Sequence, residues 1–148
     1  MSFITFNTIG LSGNLGSQIQ QYCSLFSIAK ETNKKIIFSN SSLNMGFGLK
    51  FSKLLNIDIN IVDDSFVTDF IPLNPEDILF DKSVFNLDSE RNYNVTNLFH
   101  SYHYWYPKYK DSIINFAWNK KLLESANKLK QELLPENKQL VSLHVRRG

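Results

Sequence analysis

The first forty residues carry two different spacings of hydrophobic side chains. Residues 3–8 are rich in β-branched and aromatic side chains and run into glycines, which predicts a strand and then a loop. Over residues 19–29 apolar positions recur every three or four residues, as on one face of a helix. Ser17 and Gln20 match a Ser-x-x-Gln capping box, so we expect this helix to start near Ser17. Residues 34–38 predict a second strand, and a strand-helix-strand unit implies a parallel pair.

The middle of the chain has a weaker pattern. Residues 49–55 predict a short helix. Ile57, Ile59 and Ile61 alternate with polar residues, as the side chains of a half-buried strand do. From residue 63 to 90 the periodicity is weak and prolines interrupt it, so only loops with short strands are predicted there.

The last third contains a clear amphipathic helix. Residues 94–99 predict a strand that runs into an aromatic stretch, and residues 120–134 predict a helix that Pro135 ends. The apolar stripe of this helix consists of Leu122, Leu123, Ala126, Leu129 and Leu133. Residues 139–145 predict a final strand. Strands and helices in this order indicate the α/β class.

Composition narrows the class of protein. The 148 residues suffice for one domain with its own core, and 43% hydrophobic with 20% charged residues is typical of globular chains. A net charge of +2 argues against a nucleic-acid partner. The single cysteine, Cys23, excludes an intramolecular disulfide, lies on the apolar helix face and favours a reducing compartment. There is no apolar run of about 18 residues and no signal peptide pattern, so we expect a cytoplasmic protein without a transmembrane segment.

The glycine-rich segment from Gly13 to Gln18 is the first candidate binding element. Glycines allow backbone N–H groups to approach a ligand closely, and a helix start adds unpaired donors and partial positive charge. Such an element suits an anion or sugar hydroxyls. A plain strand-to-helix turn with Ser17 as its cap explains the same residues, and the Gly-x-Gly-x-x-Gly dinucleotide pattern is absent.

Paired arginines at the end of the chain are the second candidate. In a strand, His144 and Arg146 project to the same side. The chain has thirteen lysines but only three arginines, and Arg146 and Arg147 are adjacent where a strand is predicted to end. Because the guanidinium fork binds phosphate through two hydrogen bonds, this use of arginine indicates a phosphate ligand. A basic surface without a ligand is the alternative.

The aromatic stretch at residues 99–107 has two interpretations. Its rings, with His100 and His103, suit stacking on a sugar, whereas an aromatic strand packed under a helix has the same composition. No metal site is expected, because the histidines lack cysteine partners and Asp63-Asp64 is an isolated pair typical of a solvated turn.

Three segments together resemble the α-1,2-fucosyltransferase family of inverting, GDP-fucose-dependent enzymes. GNLGSQIQQYC at 13–23 is similar to the family pattern G-G-L-G-N-Q-M-F-Q-Y-A, without a gap. NLFHSYHYW at 97–105 is similar in part to G-Y-F-Q-S-E-K-Y-F. HVRRG at 144–148 matches the first five positions of H-x-R-R-x-D, and the aspartate would be the next residue. Ser17 stands where the family pattern has asparagine after its third glycine, so no side-chain amide is available for a donor contact at this position.

The resemblance implies a B-type glycosyltransferase fold of two Rossmann-like domains. Residues 1–138 would form the N-terminal, acceptor-side domain, and residues 139–148 would be the first strand of a donor-binding domain at whose start the chain is truncated. The implied reaction transfers fucose from GDP-fucose to a hydroxyl of a galactoside or oligosaccharide acceptor, with no metal and no cofactor. Peripheral association with the inner membrane is left open.

The resemblance also assigns roles to residues. Arg146 and Arg147 would hold the diphosphate, and His144 and Arg146 are the candidate catalytic residues. The donor-facing residues of the first loop and helix would be Gly13, Gly16, Ser17 and Gln18. Two other functions stay open: a non-catalytic carbohydrate- or nucleotide-binding relative, which Ser17 favours, and an interaction module that uses the aromatic stretch.

Overall fold

The protein is described from a computed structural model, which covers residues 1–9, 11, 15–44, 48–75, 80–97, 101–116 and 118–134. The chain divides into two compact units, residues 1–117 and 118–148. The helices within the described ranges are α1 (Leu15–Glu31), α2 (Asn40–Asn44), α3 (Lys50–Leu54), α4 (Lys110–Ile114) and α5 (Lys120–Leu133). The strands are β1 (Phe3–Thr5), β2 (Lys35–Ile36), β3 (Phe38–Ser39), β4 (Ile61–Val62), β5 (Ile71–Leu73) and β6 (Tyr93–Val95). Short 3₁₀ turns occur at Asp64–Val67, Lys82–Phe85 and Tyr102–Tyr104.

A parallel sheet of four strands forms the centre of the first unit, in the order β2-β1-β6-β5. Ile4 on β1 lies opposite Ile36 on β2 and Tyr93 on β6. Helix α1 connects β1 to β2, as a crossover between parallel strands requires. The structure therefore confirms the α/β class and the parallel strand-helix-strand unit, and this sheet is compatible with a Rossmann-like fold.

The second predicted strand is wrong in one respect, because residues 34–38 form two strands rather than one. Ile37 N donates to Ile4 O at 3.1 Å and so extends the pairing with β1. Phe38 N then donates to Asn60 O at 2.8 Å, and β3 pairs with β4 in a separate two-stranded parallel sheet. The chain thus passes from one sheet to the other at Ile37.

The core of the first unit lies between the larger sheet, α1 and the aromatic turns. Its fully buried side chains include Ile4, Phe6, Leu25, Ile28, Phe38, Phe51 and Val84. Helix α3 closes one side, with the ring of Phe51 4.7 Å from that of Tyr22 on α1. At 25 cal/mol for each Å² of apolar surface removed from water, roughly 2 kcal/mol is gained for each such side chain. Burial of this cluster is what holds the short strands together.

Other predicted elements are confirmed with changed limits. Helix α3 is confirmed, whereas the strand predicted around Ile57, Ile59 and Ile61 is confined to β4, although the three isoleucines are half-buried and alternate with exposed residues. The strand predicted to reach Thr8 ends at Thr5. Residues 98 and 99 of the strand predicted at 94–99 lie outside the described ranges.

Helix α5 in the second unit is confirmed. Asn119 Oδ1 caps it by accepting hydrogen bonds from the backbone N–H groups of Lys121 and Leu122. The leucines of its apolar stripe are exposed. The strand predicted at 139–145 and the boundary at residue 138 lie outside the described residues. In the parts of the chain that the structure describes, no helix is long and apolar enough to cross a membrane.

Candidate functional site

The carboxyl edge of the four-stranded sheet is held by side-chain hydrogen bonds that meet at Asn7. The buried Thr5 donates from Oγ1 to Asn7 Oδ1 at 2.9 Å, and Asn7 N donates to Asn94 Oδ1 at 3.3 Å. Ser42 Oγ on α2 donates to Asn7 O at 3.2 Å. These bonds link the ends of β1 and β6 to α2. Open α/β sheets bind ligands at this edge, so the edge is the place to look for a site.

The start of α2 is held by the acidic pair that the sequence analysis assigned to a solvated turn. Asp64 Oδ1 accepts a hydrogen bond from Ser41 N at 3.0 Å, and Asp63 Oδ1 accepts one from Asn40 Nδ2 at 3.0 Å. The bond from Ser41 lowers the pKa of Asp64. The pair is exposed but has a structural role, since it ties α2 to the turn at Asp64–Val67. Within the described ranges, no group of three His, Cys, Asp or Glu side chains could hold a metal ion.

Helix α1 starts at this same edge and carries Gly16, Ser17 and Gln18 in its first turn. The helix begins at Leu15, so the predicted start near Ser17 is two residues too late, and Ser17 lies inside the first turn rather than at the cap. Ser17 is exposed and Gln18 is fully buried. Gln18 Nε2 donates to Gly48 O at 2.9 Å. Gln18 therefore joins the start of α1 to the segment before α3.

Sequence reasoning missed a strip of buried polar atoms that continues from Gln18 along α1. Gln18, Gln21 and Ser24 recur every three residues and are all 0% exposed. Gln18 Oε1, both amide atoms of Gln21 and Ser24 Oγ have no hydrogen-bond partner among the described residues. A buried polar atom without a partner costs about 1–3 kcal/mol, so such atoms need an explanation. The sequence signal that could have revealed this strip is the spacing of Gln18, Gln21 and Ser24, which places polar residues beside the apolar face of α1.

The segment after β6 accounts for the aromatic stretch. Tyr104 is 2% exposed, its ring centroid lies 5.1 Å from that of Phe80, and its hydroxyl accepts a hydrogen bond from Asp81 N at 3.1 Å. Tyr102, His103 and Tyr106 are exposed. Tyr104 thus fills the core, while Tyr102, His103 and Tyr106 face solvent.

The far end of this segment is fixed to the carboxyl-terminal end of α1. Glu31 Oε1 pairs with Lys108 Nζ and accepts a hydrogen bond from the hydroxyl of Tyr109 at 3.0 Å. The hydrogen bond with Lys108, and next that with Tyr109, lowers the pKa of Glu31. The segment from Tyr102 to Tyr109 is therefore anchored at both ends.

No family model, curated protein or solved structure matches this chain.

Several predicted site residues lie outside the described ranges: Gly13, His100, His144, Arg146 and Arg147. Their roles stay predictions. Gly16, Ser17 and Gln18 lie together at the carboxyl edge, but the side chain of Gln18 is turned into the protein and bonded to Gly48 rather than offered to solvent. The buried Cys23 is no nucleophile at neutral pH, because burial raises the pKa of its thiol to about 12.

Gly48, whose carbonyl accepts the hydrogen bond from Gln18, has a backbone conformation and surroundings that leave no room for a side chain. Its φ is +59°, and a Cβ built on it would lie 2.5 Å from the backbone oxygen of Leu43. We expect Gly48→Ala to lower the free energy of unfolding by about 2 kcal/mol, from the left-handed backbone and the required shift of Leu43. Urea denaturation monitored by circular dichroism measures this loss. The matched control is Asn56→Ala, which tests a positive φ of 47° alone; equal losses in both variants would rule out the clash.

Proposed function

We propose that this chain is the N-terminal, acceptor-side region of an α-1,2-fucosyltransferase that uses GDP-fucose. The observation that carries the proposal is the ordered set of three motifs at 13–23, 97–105 and 144–148. The parallel α/β sheet supports it, since the first motif enters α1 at the carboxyl edge and the second follows β6 at the same edge.

In the proposed reaction the bond between C1 of fucose and the diphosphate oxygen breaks, and its electron pair leaves with GDP. A hydroxyl oxygen of the galactoside forms the new bond to C1 with inversion and releases its proton to a base. Arg146 and Arg147 would neutralise the charge that develops on the diphosphate, which is how a transferase without a metal can assist its leaving group. His144 would project to the same side of the strand as Arg146.

The test is an assay of the full-length parent protein with GDP-fucose and galactosides. We expect GDP release and a fucosylated product. Arg146→Ala and Arg147→Ala should each reduce kcat by about 10²-fold, because each removes a fixed positive charge that stabilises the departing diphosphate. Arg91→Ala is the matched control, since Arg91 is the remaining arginine and its exposed side chain pairs with Asp88. The 148-residue chain alone should be inactive. Absence of turnover with every galactoside would contradict the proposal.

A non-catalytic relative on the same scaffold is the second candidate, and Ser17 is the residue that favours it. The family pattern has asparagine at this position, whose amide both donates and accepts, whereas serine offers a shorter hydroxyl. Donor binding without transfer in the full-length protein would support this candidate. Ser17→Asn separates the two, because it should leave an active enzyme active and restore transfer in a relative that lost it only here.

A further inference from the structure

A group of exposed aromatic side chains follows β6, and one of them, His103, also contacts the ring of Phe80 beside the core with centroids 5.8 Å apart. The group consists of Tyr102, His103 and Tyr106, together with Lys110. Tyr102 is 52% exposed and Tyr106 41% exposed. We call these four side chains the aromatic corner. From its geometry and chemistry we infer that the aromatic corner binds the pyranose ring of the acceptor saccharide, an inference that rests on the proposed function.

The rings of Tyr102 and Tyr106 in the aromatic corner are steeply inclined to each other. The centroids of Tyr102 and His103 are 4.1 Å apart with planes inclined by 32°, so the imidazole stacks against one face of the Tyr102 ring, which is still half exposed. Tyr106 lies 5.9 Å from Tyr102 with its plane inclined by 64°. A flat nucleobase can stack on only one of two rings set at this angle. A pyranose chair has C–H groups on its faces and along its rim, so it can contact both rings at once.

Polar groups at the aromatic corner match the hydroxyls of a sugar. The two phenol hydroxyls and the imidazole can each donate or accept a hydrogen bond, and the ammonium of Lys110 lies 5.6 Å from the ring centroid of Tyr106. Aromatic rings that combine an apolar face with a polar edge suit a ligand that has both kinds of surface.

The backbone beneath the aromatic corner is fixed before any ligand binds. Ser101 Oγ accepts from His103 N at 3.4 Å, Tyr104 is anchored in the core, and Glu31 holds Lys108 and Tyr109. A preorganised surface loses little entropy on binding, which matters for a ligand with few contacts. The corner is also small. A stable protein interface needs about 20–30 residues from each partner, whereas this corner presents four side chains, so it fits one or two sugar rings better than a protein.

The first experiment measures binding of methyl β-D-galactopyranoside to the 148-residue chain by ¹⁵N chemical-shift mapping and saturation-transfer difference NMR. We expect shifts centred on Tyr102, His103 and Tyr106. Tyr102→Ala and Tyr106→Ala should each weaken binding by roughly tenfold, because each removes one stacked ring. Tyr102→Phe keeps the ring and should retain most of the affinity. Phe66→Ala, which removes an exposed ring elsewhere in the first unit, should bind as the parent does.

Three results would overturn the inference. The first is absence of shifts at the aromatic corner with the galactoside, or unchanged affinity in both tyrosine-to-alanine variants. The second is a response of the same resonances to GMP but not to the galactoside, which would make the corner a platform for a nucleobase. The third is self-association that buries Tyr102, detected by sedimentation and abolished by Tyr102→Ala, which would assign the surface to a second copy of the chain.

A second experiment separates this inference from the proposed function. In the full-length parent, Tyr102→Ala and Tyr106→Ala should raise KM for the galactoside by roughly tenfold and leave KM for GDP-fucose unchanged. If both variants were active with an unchanged KM for the galactoside, the assignment of the aromatic corner would be wrong, whereas the fucosyltransferase proposal would stand. Galactoside binding at the corner in a full-length protein without transferase activity would overturn the reaction but not the binding site.

Discussion

Replacement of Lys34 by methionine is expected to lower the free energy of unfolding by about 4 kcal/mol, which corresponds to a fall in Tm of roughly 15 °C. Lys34 is 6% exposed, and its ammonium donates to Ser2 Oγ at 3.1 Å, to Asp88 O at 2.7 Å and to Arg91 O at 2.8 Å. All three ammonium donors are thus used, and the ring of Tyr93 lies 5.1 Å away. Methionine keeps the apolar stem but leaves three acceptors without their donor.

The position of Lys34 explains why the effect should be large. Ser2 precedes β1, Lys34 precedes β2, and Asp88 and Arg91 precede β6, so one ammonium joins the amino ends of three strands. Burial lowers the pKa of Lys34, with Asp88 and Glu90 acting in the opposite direction, so the charge is held at some cost in desolvation.

The matched control is Lys35→Met, which removes the same charge from the next residue. Lys35 is exposed, so its loss should change stability by no more than about 0.5 kcal/mol. Thermal and urea unfolding of the two variants under the same conditions give the comparison. If both variants lost the same stability, net charge rather than the three hydrogen bonds would explain the effect.

Sequence patterns predicted best the elements that depend on interactions between residues close together in the chain. Helix α1 follows from apolar residues at positions 19–29, and α5 from its leucine stripe, because a helix brings residues three and four apart onto one face whatever the rest of the chain does. The buried state of Cys23 followed from the same face. The parallel pairing of β1 and β2 followed from the helix between them.

The features that were missed depend on residues distant in sequence. The break at Ile37 arises because Asn60 offers Phe38 a different strand partner, which the apolar run at 36–38 cannot reveal. Lys34 and Lys35 are the same residue type, so the sequence alone does not distinguish them. The ammonium of Lys34 is held inside the protein by backbone carbonyls more than fifty positions away, whereas Lys35 is exposed. The start of α1 shifted by two residues because cap positions depend on a few weak local hydrogen bonds.

In the candidate site too, features set by local sequence were predicted, whereas features set by distant contacts were not. Sequence reasoning placed the first motif in a loop and helix that follow a strand, and the structure shows Gly16, Ser17 and Gln18 in the first turn of α1, at the carboxyl edge of the sheet. The burial of Gln18 and Gln21 was not predicted, because it depends on distant segments: Gly48 bonds to Gln18, and the turn at Tyr102–Tyr104 packs against α1. Sequence patterns identify which residue types carry chemistry, whereas contacts across the fold decide which of them face a ligand.

Raising the pH from 8 to 11 is expected to lower the free energy of unfolding by about 4 kcal/mol through two buried acids on α1. Burial raises the pKa of the Cys23 thiol from 9.0 to about 12. It also raises the pKa of the Tyr22 hydroxyl from 10.0 to about 12, with a smaller contribution from Cys23. Both groups stay protonated in the folded protein but ionise when it unfolds. Their contribution is therefore complete below about pH 9 and is lost as the pH rises toward 12.

Comparison with Cys23→Ala separates the thiol, together with its smaller effect on the pKa of Tyr22, from the other groups that titrate in this range. The lowered pKa of Lys34 has the opposite effect, because the unfolded chain keeps that proton longer, and this contribution cancels in the comparison. Between pH 8 and 11 the variant should lose about 3 kcal/mol less than the parent, since the thiol titrates over about two pH units of that range in the unfolded state alone. Urea unfolding at fixed ionic strength across this range measures the two slopes. Parallel slopes for parent and variant would show that Cys23 ionises as readily in the folded protein as in the unfolded chain, and that α1 does not shield it.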